Sequence, residues 1–303
     1  MCRRLIARLI KYKAMKQKKD IEFPDCWEEV KPLEWVHLLK IRDKMMKKPG
    51  ISLRDVKRDW CAYVLKNRGY RLGGVDDMLM IDRLADTLDW MWIMGEETGL
   101  DGVTVTFAQL TYDCTVNLLP KWRYLQGPAS HGADLTFGEF RQAAAVKAVM
   151  NQYNATQNPV DLRALCAILY RKPVKEKGCA LREPFRPQYM GRYMGLVRDM
   201  PEWIQWGIYA WFAYFCNYLF IGTFIIEGVE VCFAPVFERH RKSPEDHPGI
   251  IQNLGMNSVL YSVAESGVFG NVDATDDTQL LRVMMKLLDD KQRADEMMRN
   301  LKK

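Results

Sequence analysis

The chain predicts a mainly α fold: a helical globule with a small antiparallel β element around 101–126 and a second candidate β element at 224–237. Apolar residues recur at helical spacing along most of the sequence, Pro and Gly punctuate those runs, and only two stretches alternate with the period of a strand. At 303 residues, with 48% AVILMFWYC and 27% charged residues, the chain is sized for one large domain or two ordinary ones. That composition excludes collagen, low-complexity disorder and a small disulfide scaffold.

Residues 1–19 form a basic arm that includes Arg3, Arg4, Arg8, Lys11 and Lys13 and no acid. Without it the chain holds 36 basic and 38 acidic groups, so nucleic acid is an expected partner only through the arm. Leu5, Ile6, Leu9 and Ile10 line one helical face of the arm, but no secretory cleavage site follows. A helical region is expected over 20–100. Leu33, Val36, Leu39 and Met46 end at Pro49-Gly50, and Ser52 with Asp55 starts a second helix to about 67. A third helix is expected over 75–94, with Met78, Ile81, Leu84, Leu88, Met91 and Trp92 on one face.

Over 101–171 the texture changes. Val103, Val105 and Phe107 alternate with threonines, and 114–119 and 121–125 lie between breakers, which predicts strands. Thr136 with Glu139 then forms a capping box for a helix, and Pro159 opens another that carries Leu162, Leu165, Cys166 and Leu169. Residues 171–187, rich in Pro and charge, are the expected internal linker, and 238–249 is a second. The last region, 188–303, holds an aromatic-rich helix and C-terminal helices at 256–265 and 277–300.

Residues 203–226 run for 24 positions without a charge, and ten of them are aromatic. Three readings fit: a buried central helix, a helix that buries only on assembly, or a membrane span, for which the length suffices. Aromatics spread through the run, with Gln205 and Asn217 embedded, favour the buried helix over the span. On the assembly reading Trp203, Trp206, Trp211, Phe212 and Phe215 are the protein-binding candidates. Glu227-Gly228 would turn a hairpin after it.

The chemistry-bearing residues assemble no motif. His131 lies near Ser130 and Asp134 in GPASHGAD, but G-x-S-x-G is absent and triads are gathered by the fold, not by adjacency. The eight cysteines have no C-x-x-C spacing; Cys61, Cys166 and Cys216 read as buried free thiols in a reducing compartment. The acids of 271–277 lack the calcium-loop Gly and Glu and read as helix caps. No catalytic residue, metal ligand or cofactor is expected.

The phrases LLPKWRYLQGPASHGADLTFGEF, LCAILYR, IIEGVEVCFAPVF and SVLYSVAESGVFGNVDATDDT, in that order, resemble structural or assembly proteins of tailed phages and prophages. The likeness lies in an LTF-x-EF … LxAxLYR helical region and covers about 110–290. It implies a non-enzymatic tail-assembly chaperone or virion component that binds other proteins, in the host cytoplasm or the virion; a homo-oligomer is a separate expectation. The alternatives are a membrane-associated protein spanning at 203–226 and an enzyme of unrecognised type.

Overall fold

The computed structural model describes residues 22–98, 104–152, 159–176, 179–237 and 256–301. The basic arm with Arg3, Arg4, Arg8, Lys11 and Lys13, and the expected linker at 238–249, lie outside the described residues. The fold is mainly α: among the described residues there are eleven α-helices and four two-stranded antiparallel sheets. The chain divides into two compact units, Met1–Cys114 and Thr115–Lys303.

The first unit contains α1 (Pro32–Lys47), α2 (Leu53–Asn67), α3 (Val75–Asp86) and the hairpin β1 (Trp92–Thr98) with β2 (Thr104–Leu110). Ser52 caps α2 as expected, its hydroxyl accepting from the Asp55 N–H while Asp55 accepts the Ser52 N–H. The core is a cluster of rings. Trp27 packs edge-on against Trp35 at 5.0 Å and Trp90 at 5.2 Å, and Tyr112 lies 5.0 Å from Trp35. Such pairs add about 0.5–1.5 kcal/mol beyond burial.

The expected third helix is too long. It stops at Asp86, a 3-10 turn covers Leu88–Met91, and 92–98 is strand. Leu88, Met91 and Trp92 are buried as expected, yet Met78 is 55% exposed. The Thr87 hydroxyl and N–H both donate to the Leu84 carbonyl, closing the helix. Beyond it, Gly95 lets the Phe107 ring lie across the partner strand; a Cβ there would stand 2.4 Å from the ring.

Glu34 is the charged keystone of this unit. Fully buried, it accepts hydrogen bonds from Arg68, Asn67 and the Lys31 N–H, and its own carbonyl accepts from Trp60 Nε1 at 2.9 Å. Burial is the largest single influence and pushes the carboxyl up, but the hydrogen bonds from Arg68, the Lys31 N–H and Asn67 together with the Arg68 charge outweigh it and hold the pKa below the ordinary 4.5. A carboxyl whose pKa falls on folding stabilises above its unfolded value and loses that contribution as pH drops through its folded one. Glu34→Gln should therefore be clearly less stable than the parent at pH 7, with the gap narrowing below about pH 4.5 in urea unfolding.

The second unit opens with β3 (Lys121–Trp122) and β4 (Leu125–Gln126), turned at Arg123 with φ 51°. Residues 114–119, expected as strand, form a loop instead. There Asn117 donates to the Pro128 carbonyl and accepts the Leu119 N–H, so a side chain replaces ladder bonds. Next come α4 (Phe137–Gln152) and α5 (Pro159–Leu169), then β5 (Pro173–Glu176) with β6 (Cys179–Arg182), α6 (Met190–Leu196) and α7 (Glu202–Ile221). The hairpin β7 (Thr223–Ile226) with β8 (Val229–Cys232) leads to α8 (Ala234–Phe237), α9 (Met256–Glu265), α10 (Val272–Asp277) and α11 (Leu280–Leu301). α5 is buried from Leu165 to Leu169 and packs on α4, α6 and α7, which makes it the centre of the unit.

The expected linker at 171–187 thus contains a hairpin, and Arg171, just before it, and Arg182, the last residue of β6, are buried. Asn271, in the glycine-rich loop, caps α10 by accepting the Ala274 N–H. Asp276 and Asp277 bind Arg141 and Arg186 at 2.6 Å each, tying α10 to α4 and to the segment before α6.

Candidate functional site

α7 begins at Pro201, whose carbonyl accepts from the Gln205 N–H; the Gln205 side chain, buried, donates to the Met200 carbonyl at 2.7 Å. Ile204, Ile208, Trp211, Phe212, Phe215 and Leu219 form its buried face. Trp211 stacks on Phe215 at 5.6 Å and donates its indole N–H to the Thr115 carbonyl at 3.1 Å. Phe215 also lies against Gly132, whose φ of 64° and lack of a side chain admit the ring. Trp211, Phe212 and Phe215 are therefore core residues, not a free binding face, because their unit already encloses them. Trp203 and Trp206 are half-buried near the start of the helix, with Tyr209 edge-on to Trp206 at 5.4 Å.

The uncharged run is not a single span. No helix among the described residues is long and apolar enough to cross a membrane. α7 ends at Ile221: the Gly222 N–H still makes the last helical bond, to the Tyr218 carbonyl at 2.6 Å, but Gly222 itself is extended (φ −82°, ψ 168°), and a Cβ on it would collide with Tyr218. The Tyr218 hydroxyl then donates to the Thr223 carbonyl, aiming the chain into β7. As expected, Glu227 (φ 51°) and Gly228 (φ 83°) form a two-residue turn of the type that suits strand twist.

This end of the unit carries apolar surface. Phe224 and Val231 are buried, while Phe220, Ile221 (78% exposed), Ile225 (77%) and Val229 (62%) are exposed within ten residues of chain; Ile225, paired with Glu230, and Val229, paired with Ile226, lie on opposite faces of the hairpin. Single exposed apolar residues are ordinary, but a local group of large ones marks interaction surfaces. The candidates expected from the sequence, Trp203, Trp206, Trp211, Phe212 and Phe215, include none of these aliphatic positions. The signal lay in the strand alternation, which puts Ile225 opposite in facing to Phe224.

A second feature is ionic and buried. Glu139 accepts from Arg171 and, at 2.9 Å, from Arg182; Arg182 also donates to the Asp134 carbonyl at 3.1 Å, and Arg171 to the carbonyls of Ile168 and Glu183. Burial pushes both guanidinium pKa values down, and Arg182 adds to the effect on Arg171. The Asp134 carboxylate, 3.4 Å from Arg182, opposes this at both groups. The neighbouring Tyr170 hydroxyl donates to the Leu119 carbonyl. Thus the charged members of LTFGEF and LCAILYR meet each other, and the phrases that carry the phage resemblance build a core.

The residues with chemical potential have structural partners. His131 shares a hydrogen bond with the Thr115 hydroxyl at 2.6 Å, Ser130 Oγ accepts the Asn117 N–H, and Asp134 accepts the Ala129 N–H. Each pins the 115–134 loop, and the structure forms no Ser–His–Asp relay from them. His37 stacks on Tyr63 at 3.9 Å and bonds Asp59. Among the described residues, Asp25, Cys26 and Glu29 bring three possible ligand atoms within 4.8 Å of one another. The Glu29 carboxylate is held there by the Asp25 N–H, and burial together with Glu29 and Glu28 pushes the Cys26 thiol up to about 11. Cys61, Cys166 and Cys216 are buried free thiols, and burial raises all three.

Comparison with family models, with curated proteins and with solved structures finds no match to this chain. The candidate site is accordingly defined by its own geometry: the outward apolar end of α7 and its hairpin, mounted on a rigid aromatic and ionic core.

Proposed function

We propose that the chain is a non-enzymatic assembly protein of tailed-phage or prophage type, a tail-assembly chaperone or virion component, which binds another protein through the α7–hairpin end. The observation that carries the binding reading is the concentration of exposed apolar residues at this end, Ile221 at the close of α7 and Ile225 and Val229 on the two faces of its hairpin, each more than 60% exposed, beside a firmly packed core. A chaperone that keeps a tail component soluble needs apolar surface that its client covers, and a two-stranded hairpin offers open strand edges as well. The order of motifs over about 110–290 supports the phage-type assignment, and the fixed geometry of the buried Glu139 cluster supplies the rigid mount that binding surfaces need.

The double variant Ile221→Asp/Ile225→Asp tests the surface. Both side chains are exposed, so unfolding should change by no more than about 0.5 kcal/mol per site. Affinity for a tail-assembly client, taken from a panel of such phage proteins, should fall by about 2 kcal/mol or more, some 30-fold, by titration calorimetry. A client bound by the parent and equally by the folded variant would refute the surface.

A further inference from the structure

Of the twelve residues of α3, Ala85 alone is buried. Val75, Met78 and Leu79 are 77%, 55% and 57% exposed, and their spacing puts them on one face of the helix. Asp82 and Asp86 continue that face toward the C-terminal end, and Asp76 flanks it. Asp82 is paired with Arg58 at 2.9 Å, whereas Asp76 and Asp86 are exposed and have no ion pair among the described residues. With four acids, at 76, 77, 82 and 86, against Arg83, the helix carries a net charge of −3. The first unit thus presents an apolar stripe set in negative charge.

We infer that this face of α3 is the docking site of the chain's own basic arm, residues 1–19, which meets it through Leu5, Ile6, Leu9 and Ile10. Charge and pattern are complementary. The arm has eight basic groups and no acid, and its four apolar residues recur at the spacing that fits a helical stripe. The fold also delivers the arm to the right place. Arg68 donates to the Glu22 carbonyl at 2.6 Å, and the Phe23 ring lies edge-on to Trp60 at 5.9 Å. Arg68 caps the end of α2, and Gly74, six residues on, caps the start of α3. Those six residues separate the two helix ends by no more than about 22 Å, and residues 11–21 can span about 36 Å, so Leu5–Ile10 reaches the Val75–Leu79 face.

The contact is short, but the arm is covalently tethered beside it. A short tether sets an effective concentration of the order of 1 mM, so a face with an intrinsic dissociation constant near 0.1 mM is closed about ten times for each time it is open. This contact lies within the first unit and is independent of the client surface at the α7 hairpin. It is tested by amide hydrogen exchange of the nuclease-treated full chain at low micromolar concentration. Val75–Asp86 should exchange about tenfold faster in L5S/I6S/L9S/I10S, which removes the apolar face of the arm and keeps its charge, while Leu53–Asn67 exchanges as in the parent. Salt at 1 M should bring the parent toward the variant, because the charges involved are exposed. A photo-reactive benzophenone side chain at Leu9, in an otherwise unchanged chain, should cross-link within one copy to 75–86, and M78D/L79D, at exposed positions, should abolish that product. If Leu53–Asn67 also accelerates in the serine variant, the fold has been disturbed and the cross-link decides. Equal exchange of Val75–Asp86 in parent and variant overturns the inference, as does protection that salt leaves unchanged or that dilution removes. A cross-link that falls outside 75–86, joins two copies or captures only nucleic acid overturns it as well.

Discussion

Replacing Glu139 by Ala is expected to cost about 3–5 kcal/mol, which for a domain stable by about 5–15 kcal/mol is enough to lower its urea midpoint sharply or to abolish folding. The cost comes from the stranded cations. Arg171 is wholly buried and Arg182 nearly so, and Glu139 is the carboxylate that accepts from both. Without it Arg171 loses its carboxylate and Arg182 keeps only the longer contact to Asp134 at 3.4 Å, so two desolvated guanidinium groups share one partly exposed carboxylate. The cluster need not be a net stabiliser for this to hold, since replacing a buried ionic group entirely by apolar residues of similar volume is often neutral. A Glu139→Leu/Arg171→Met/Arg182→Met variant should accordingly be more stable than Glu139→Ala. If Glu139→Ala unfolds with the parent, Glu139 does not hold the two cations.

The second large effect is at Trp211. Trp211→Ala removes an indole that is 1% exposed, leaves a cavity beside Phe215 and takes one of two donors from the Thr115 carbonyl, which keeps the His131 N–H at 2.7 Å, a loss of about 3–5 kcal/mol. Trp206→Ala, at a half-buried position on the same helix, should cost about 1 kcal/mol. Denaturant midpoints of the two variants separate core from surface along α7; equal losses would contradict the facing assigned here.

Local rules were legible where a few adjacent residues decide the outcome. Ser52 with Asp55 and Thr136 with Glu139 form the capping boxes that their spacing announces, and Glu227-Gly228 makes the turn expected of it. The third helix was overextended because Leu88, Met91 and Trp92 keep helical spacing while passing through a 3-10 turn into a strand, whose partner lies at 104–110. Periodicity sees which residues are buried and not which backbone buries them.

The stretch 171–187 misled for a related reason. Its prolines and charges look like a solvated linker, yet Arg171 and Arg182 turn inward to a carboxylate 32 and 43 residues earlier in the chain. Glu139 itself read as a cap, which it is, while its larger role needed the fold. The binding candidates divided likewise: a run with ten aromatics says that α7 buries something, but only the packing shows that Trp211, Phe212 and Phe215 are used internally and that the outward residues are Ile221, Ile225 and Val229.

Amide hydrogen exchange of the chain, alone and saturated with a tail-assembly client, tests the proposal that a client protein covers the α7–hairpin end. Exchange across Thr223–Cys232 should slow markedly on binding, because a covered hairpin loses both its fraying and its open edges. Protection confined to other segments, with Thr223–Cys232 exchanging as in the free chain, would contradict it.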